Sequence, residues 1–417
     1  MDGGKPYYGD MTGRGEAEST YAWARLGVSL LLMTIGSVGM YVMAVALTPV
    51  QAEFGSDRGG ASLPYTLTMI GFGIGGIVMG RLADRFGVAV PVVIGAFGLG
   101  AGFIAAGFSQ SLLQFALAQG VLIGMLGCAT TFAPLVADTS LWFNKRRGIA
   151  VAICASGNYL SGTIWPPILQ YLFDTIGWRQ TYIGFGVFCA ASLLALSFFM
   201  RKRPPVLDSP SQATSHLKET KSLGLSSANL MVLLCIAGIG CCVAMSMPQV
   251  HIVAYCGELG YGAARGAEML SLMLGFGIVS RLLSGWISDH IGGLRTLILG
   301  SVLQGIALLL FLPFDGLTSL YVVSAMFGLF QGGIVPAYAL IVREYFDPKE
   351  AGTRVSIVLT ATLVGMALGG WISGVIFDLT GSYRAAFVNG IAFNLLNLTI
   401  AFWLLRRAWR RGALFPA

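Results

Sequence analysis

Twelve apolar stretches of about 20 residues follow one another along this 417-residue chain. Each is long enough to cross a hydrocarbon core of about 30 Å as an α-helix. None shows the short polar–apolar alternation of membrane β-barrel strands. The spans are predicted at 25–50, 61–81, 88–109, 111–137, 147–173, 179–200, 227–253, 266–288, 293–313, 317–342, 352–377 and 383–405. The sequence therefore predicts an all-α polytopic membrane protein with twelve transmembrane helices.

The composition excludes several other classes of protein. Hydrophobic residues make up 55% of the chain and charged residues 11%, whereas soluble domains carry about 25% charged residues. A soluble, disordered, nucleic-acid-binding or disulfide-stabilised secreted protein is excluded on this ground. The seven Cys lack metal-ligand spacing, the three His are scattered, and no phosphate-binding loop occurs. We therefore expect no metal, no cofactor and no enzymatic activity.

The basic residues predict the orientation of the chain. With both termini in the cytoplasm, 21 of the 26 Lys and Arg residues lie in inner segments, four lie in outer loops, and Arg281 lies within a span. Cytoplasmic loops carry such an excess, so the net charge of +7 describes topology. Met1–Thr20 lacks the apolar run of a cleavable signal peptide. We expect an integral protein of a bacterial inner (plasma) membrane.

The two halves of the chain resemble each other at an offset of about 205 residues. Three pairs of segments correspond in the same order: 80–87 (GRLADRFG) with 285–292 (GWISDHIG), 142–148 (WFNKRRG) with 345–352 (YFDPKEAG), and 172–179 (LFDTIGWR) with 376–384 (IFDLTGSYR). Repeated halves with a site between them are typical of secondary transporters. The predicted organisation is an N-tail (1–24), an N-half (25–200), a cytoplasmic linker (201–226), a C-half (227–405) and a C-tail (406–417).

The motif of the 2–3 loop, repeated in the 8–9 loop, resembles the signature of the major facilitator superfamily. The helix count and the long middle loop agree with that family over the whole chain. The basic residue that usually follows the final Gly is missing, since Val88 and Gly293 stand there. The resemblance implies the major facilitator fold. It also implies a gating role for Asp84, Arg85 and Asp289, because in this family the loop Asp pairs with a neighbouring helix and locks the outward-open state.

Arg281 is the one basic residue predicted near the middle of a span. Eight residues, about 12 Å of helix, separate it from Asp289. An arginine at that depth costs at least about 2.5 kcal/mol on insertion, so it needs a partner. One alternative is a carboxylate, or the backbone carbonyls of a broken helix. The other is an anionic substrate, whose carboxylate fits the planar guanidinium in a bidentate manner.

The spacing around Arg281 resembles the monocarboxylate and oxalate/formate transporter branch of the family. Helix 8 carries Arg281-x3-Gly285-x3-Asp289, and residues 142–148 with 155–158 (ASGN) resemble the same branch. The resemblance implies that Arg281 binds the substrate carboxylate. Two departures are present: Gly277 replaces the Asp of animal carriers, and Ala361 or Thr362 replaces the second cation of oxalate carriers. A single fixed positive charge suits a monoanion better than a dianion.

Few polar side chains in the spans could complete such a site. For each of them, interhelical hydrogen bonding is an equally good explanation. The substrate-binding candidates besides Arg281 are Asn158, Tyr41, Thr131 and Gln331. His251 could titrate near neutral pH and take part in proton coupling. The three asparagines of helix 12 (Asn389, Asn394 and Asn397) are interpreted as packing residues.

These features together predict a secondary active transporter that moves a small monocarboxylate such as lactate, pyruvate or formate by alternating access, as a proton symporter. An anion exchanger of the oxalate/formate type, an efflux carrier of an apolar compound, and a sensor or assembly protein remain alternatives. The expected partners are the carboxylate, protons and the lipid bilayer. We expect a monomer that binds no nucleic acid.

Overall fold

The computed structural model describes residues 18–143, 146–202 and 224–410, and nearly all of this part is helical. Twelve long helices follow one another along the chain. Their bounds are Thr20–Phe54 (α1), Arg58–Phe86 (α2), Ala89–Gly107 (α3), Leu112–Trp142 (α4), Arg147–Ile176 (α5), Trp178–Met200 (α6), Ser227–Glu258 (α7), Ala263–Ile291 (α8), Gly293–Leu310 (α9), Leu317–Tyr345 (α10), Pro348–Thr380 (α11) and Tyr383–Arg410 (α12). Most of the predicted linker, and parts of both predicted tails, lie outside the described residues.

The predicted fold class is confirmed, and each of the twelve predicted spans coincides with one helix. Most helices continue beyond the apolar stretch by up to about two turns, because charged residues at helix ends stay helical. Eleven of the helices are long and apolar enough to cross a membrane. The twelfth, α5, is less apolar because it carries polar residues such as Asn158, Gln170 and Asp174. The chain is an integral membrane protein.

The repeated loop motif ends α2 and α8 in the same way. Its final glycines, Gly87 and Gly292, have φ angles of 87° and 82°, a backbone conformation that residues with a Cβ rarely adopt. Their amide groups donate to the carbonyls of Ala83 at 2.8 Å and Ser288 at 2.9 Å. The repeat therefore specifies a helix stop in both halves.

Two helices of the N-half are irregular, and they pack against each other. The helical geometry of α1 is interrupted at Ser37, and α4 is wound more loosely over Ala118–Gly127. A Cβ added at Gly36 would stand 2.1 Å from the hydroxyl oxygen of Thr131. A glycine at this position lets the backbone of α1 approach the irregular part of α4.

The bundle has two ends. We call the end that carries Thr20 and Arg410 the tail end, and the end that carries the α1–α2, α7–α8 and α11–α12 loops the far end. The first six helices meet the last six mainly along α2 and α11, along α5 and α8, and along α1 and α7. Arg281 lies at the α5–α8 seam, and two of the predicted gating residues, Asp84 and Arg85, lie on α2.

Candidate functional site

Arg281 extends from α8 toward α5, across the boundary between the halves. Its Nη1 donates to the carbonyl oxygen of Ala155 at 3.2 Å, and its guanidinium carbon lies 4.4 Å from the ring centroid of Tyr159. Its Nε is buried and has no hydrogen-bond partner among the described residues. The partners of Arg281 in the described part of the chain are thus a backbone carbonyl and an aromatic face, and part of its donor capacity is unused.

Gly277 explains how Tyr159 reaches this arginine. A Cβ at Gly277 would stand 2.6 Å from Cε1 of Tyr159, so the ring lies directly on the α8 backbone. Gly277 is one helical turn before Arg281 and shares its face. The position where animal monocarboxylate carriers have an aspartate is therefore filled by an aromatic ring from α5, and the arginine lacks that carboxylate.

Asn158 and Tyr41 form a second polar pair close to Arg281. The hydroxyl of Tyr41 donates to Oδ1 of Asn158 at 2.7 Å, and Nδ2 of Asn158 lies 3.3 Å from the sulfur of Met40. Asn158 is the direct neighbour of Tyr159 in α5. The structure therefore brings three of the predicted substrate-binding residues, Arg281, Asn158 and Tyr41, to one place where α1, α5 and α8 converge.

Thr131 and Gln331 occupy different surroundings. Thr131 is fully buried, and its hydroxyl donates to the carbonyl of Cys128 at 3.1 Å in the irregular turn of α4. Gln331 is also fully buried and accepts a hydrogen bond from Nε2 of Gln249 at 3.1 Å, which links α10 to α7. The described contact of Thr131 lies within α4, whereas Nε2 of Gln331 is buried without a partner among the described residues.

The predicted gating residues lie at the tail end, where the two halves are apart. Asp84, Arg85 and Asp289 are exposed, and the structure gives no ion pair between them within the described residues. A Cβ added at Gly76 or Gly80, on the tail-end half of α2, would meet no atom within 4 Å. The seam between α2 and α11 is therefore open on this side.

At the far end the same seam is closed by charged groups. The backbone amides of Arg58 and Gly59, in the first turn of α2, donate to the carboxylate of Asp378 on α11 at 2.8 and 2.7 Å. The side chain of Arg58 forms an ion pair with Glu258 at the end of α7. An acid at a helix N-terminus pairs with unsatisfied amides and with the positive end of the helix dipole. These contacts close the far end.

The α5–α8 seam is joined by a hydrogen bond that a proline makes possible. Pro167 lacks an N–H, so the carbonyl of Thr163, four residues earlier, has no donor in its own helix. The hydroxyl of Ser271 on α8 donates to that carbonyl. Thr163, Ser271 and Pro167 also line a mainly apolar cleft of about 470 Å³, which continues along α8 to Glu268 and Val279. This cleft does not include Arg281.

His251 lies in α7 within the far-end closure and not beside Arg281. It is fully buried. Its Nδ1 lies 3.3 Å from the hydroxyl of Tyr383, and its Nε2 lies 2.8 Å from the carbonyl oxygen of Gly370. Both ring nitrogens therefore have partners, which is the pattern of a structural histidine that links α7 to α11 and α12.

Two arginines are more buried than the sequence indicates. Arg25 is 3% and Arg58 is 6% exposed, although both stand near helix ends and not near the middle of a span. Arg25 makes a bidentate ion pair with Asp138, at 2.9 and 3.0 Å. Both arginines stand near a predicted span boundary, where long side chains usually reach the interface. Asp138 and Glu258, which lie near the ends of other helices, were the sequence features that could have indicated this burial.

Two asparagines of α12 make hydrogen bonds to α9. Asn394 donates to the carbonyl of Ser301 at 2.9 Å and Asn397 to its hydroxyl at 2.7 Å, both on α9, which agrees with their interpretation as packing residues. Among the described residues, no group of three or more His, Cys, Asp or Glu could hold a metal ion.

Comparison with known proteins gives consistent results. The sequence pattern of the Major Facilitator Superfamily matches residues 29–317 and 258–413. Monocarboxylate transporter 13 of Bos taurus is 30% identical over 328 residues, which cover 76% of this chain and 74% of that protein. The agnestins efflux protein AgnL12 of Paecilomyces divaricatus is 24% identical, over 94% of this chain and 88% of that protein.

Among solved structures, a bacterial homologue of the human lysosomal transporter Spinster, in an inward-facing and occupied conformation, superposes with a TM-score of 0.73. The alignment covers 96% of this chain and 99% of that one, at 15% identity. The likeness at this identity concerns the fold.

Proposed function

The chain belongs to the Major Facilitator Superfamily, and from that premise we propose that it is a secondary active transporter of a small organic anion, a monocarboxylate such as lactate, pyruvate or formate. As a member of this family it is a transporter and not an enzyme. The observation that carries the proposal is the guanidinium of Arg281, held between the halves with a buried Nε that has no partner among the described residues.

The chemistry around Arg281 supports a carboxylate as substrate. A guanidinium binds a carboxylate in a bidentate manner, and the guanidinium carbon of Arg281 lies 4.4 Å from the ring centroid of Tyr159. The hydroxyl of Tyr41 and the amide of Asn158 would supply further polar contacts close by. The single positive charge of Arg281 favours a substrate with one negative charge. A relative named monocarboxylate transporter 13 agrees with this assignment.

Transport would proceed by alternating access. The seam between α2 and α11 is closed at the far end and open at the tail end. If the tail end is cytoplasmic, in a bacterial inner membrane, this conformation is open to the inside. We propose that Asp84, Arg85 and Asp289 close the tail end in the opposite conformation. In that conformation α2 and α11 would approach each other at the tail end.

For energy coupling we propose proton symport. Both nitrogens of His251 already have partners, which favours a proton that travels with the substrate, a weak acid, over one carried by this histidine. Uptake into proteoliposomes driven by a proton gradient is the expected result. Dependence on carboxylate inside the vesicles, with no response to the gradient, would instead indicate anion exchange.

The substitution Arg281→Gln tests the site. We expect uptake of labelled lactate, pyruvate or formate to fall at least about tenfold, because a hydrogen bond to a charged group contributes about 1.5–3 kcal/mol. Arg265→Gln, which removes an exposed arginine paired with Glu268 on the same helix, is the matched control and should transport normally. Equal uptake by the Arg281→Gln and Arg265→Gln proteins would reject the role of Arg281.

A second candidate function is efflux of an apolar compound. The apolar cleft between α5, α8 and α10 and the relationship to a fungal efflux protein favour it. Such a substrate would not depend on the charge of Arg281. Transport of an apolar dye that survives Arg281→Gln and fails when Gly275, which lines the cleft, is replaced by Leu would support this candidate over the first.

A further inference from the structure

Arg58 is a buried arginine with unused hydrogen-bonding groups. It stands at the start of α2 and is 6% exposed. Only its Nη2 has a carboxylate partner, Glu258, whereas Nε and Nη1 are buried without a partner among the described residues. Its guanidinium carbon lies 4.9 Å from the ring centroid of Phe377 and 5.8 Å from that of Tyr383. The arginine is thus fixed in position, and two of its three side-chain nitrogens have no hydrogen-bond partner among the described residues.

The acid that pairs with Arg58 is much less fixed than the arginine. The side chain of Glu258 is 45% exposed, against 7% for that of Arg58. Glu258 is the last residue of α7, in the C-half, while Arg58 belongs to the N-half. Rotation of the exposed Glu258 side chain away from Arg58 would therefore remove this carboxylate while the guanidinium stays between the two aromatic rings. A buried charge without a partner is strongly unfavourable.

We propose that Arg58, with Phe377 and Tyr383, is a second carboxylate-binding site, which Glu258 occupies while the far end is closed. A small monocarboxylate takes the place of Glu258 when this side chain turns outward, and it neutralises Arg58 within the closed far end. The inference rests on the proposed function only for the class of ligand.

The second site is distinct from the one at Arg281. The repeat aligns Arg281 of α8 with Gly76 of α2, which is 18 residues from Arg58. At 1.5 Å per residue, the two levels are about 27 Å apart along the helix axis. One small monocarboxylate cannot contact both arginines. The two sites can therefore be removed separately.

The test is rescue of a truncated Glu258 by a free carboxylate. Glu258→Ala leaves Arg58 without its acid, so the melting temperature of the purified protein in nanodiscs should fall. Sodium acetate, raised into the tens of millimolar range, should restore at least half of the loss, whereas equal sodium chloride should not. The double variant Glu258→Ala/Arg58→Gln should show no acetate response, and Glu258→Ala/Arg281→Gln should keep it.

The outcomes separate this site from the central one. An acetate response that survives Arg58→Gln, or one that disappears with Arg281→Gln, would overturn the proposal and leave the role of Arg281 intact. Rescue that requires Arg58, together with undiminished uptake by Arg281→Gln, would support this site and reject the central one. If the alanine variant does not fold, Glu258→Ser, which also removes the carboxylate and leaves its place empty, serves in the same comparison.

Discussion

The α2–α11 seam and the α5–α8 seam come from repeated sequence, yet they place their positive charge at different levels of the bundle. At the offset of 205 residues, Arg58 of α2 corresponds to Ala263 of α8, and Gly76 of α2 corresponds to Arg281 of α8. One seam thus has its arginine at the far end, and the other has it near the middle. Arg58 therefore takes part in the closure of the far end, whereas Arg281 stands at the proposed central substrate site.

The aspartates of the two seams also differ in their hydrogen-bond partners. Asp378 accepts the first two amides of α2 across the seam. Its counterpart in the repeat, Asp174, accepts from Gln170 one turn earlier in its own helix, at 2.9 Å. The N-terminus of α8, at Gly262, has no side-chain cap. The aspartate of this motif therefore joins α11 to α2 at one seam, whereas its counterpart at the other seam makes a hydrogen bond within its own helix, α5.

The largest difference between the seams should appear when a methyl group is added to a glycine. A Cβ at Gly374 on α11 would stand 2.8 Å from the backbone oxygen of Arg58, whereas a Cβ at Gly275 on α8 would meet Thr163 at an ordinary 3.5 Å. Gly374→Ala should lower the free energy of unfolding by about 1–3 kcal/mol through overpacking. Gly275→Ala should change it by less than about 1 kcal/mol, because alanine favours the helix. Thermal unfolding in detergent measures both, and equal melting temperatures would contradict a tight α2–α11 contact.

The two aspartates give the second comparison. Asp378→Asn keeps one acceptor oxygen but loses the charge that two amides share, so the closed far end should lose about 1–3 kcal/mol. Asp174→Asn should have little effect, because its partner is a neighbouring side chain. Hydrogen exchange of the amides of Arg58 and Gly59, followed by mass spectrometry, should become faster only in the Asp378 variant. Unchanged exchange would show that Asp378 does not hold the start of α2.

Hydropathy was sufficient to predict the twelve helices. A helix that crosses a membrane must bury its own backbone hydrogen bonds over about 20 residues, so twelve apolar stretches specify twelve helices. Each repeated motif also ends in a glycine, Gly87 or Gly292. This glycine indicates a helix end that requires a positive φ. These are local properties, and a single sequence contains them.

The site was only partly predictable, because its partners are distant in sequence. The depth of Arg281 identified it as a candidate, and the neighbouring Asn158 followed from the pattern around α5. The pairing of Arg58 with Glu258, 200 residues away, and with Asp378, 320 residues away, depends on how the halves dock. Arg58 stands at a helix start, where an arginine usually reaches water or headgroups. No local sequence pattern distinguishes an arginine that reaches water or headgroups from one that is buried at a seam.

The smallest expected difference concerns the hydrogen bonds that cross each seam. Ser271 donates to the carbonyl of Thr163, which has lost its helical donor to Pro167. Thr66 on α2 donates to the carbonyl of Ala367 on α11 at 3.0 Å, and that carbonyl is in the interior of a regular helix. Ser271→Ala leaves a part-buried acceptor unpaired, whereas Thr66→Val does not.

Side-chain hydrogen bonds between membrane helices contribute about 0.6 kcal/mol on average and up to about 1.7 kcal/mol. We therefore expect Ser271→Ala to lie near the upper value and Thr66→Val near the average, as measured by thermal unfolding of the two proteins side by side. Substitution of Pro167 by Ala should reduce the cost of Ser271→Ala, because it returns an amide donor to Thr163. A double-mutant cycle without such coupling would mean that the proline does not create the need for the serine, and the α5–α8 seam would then resemble its counterpart.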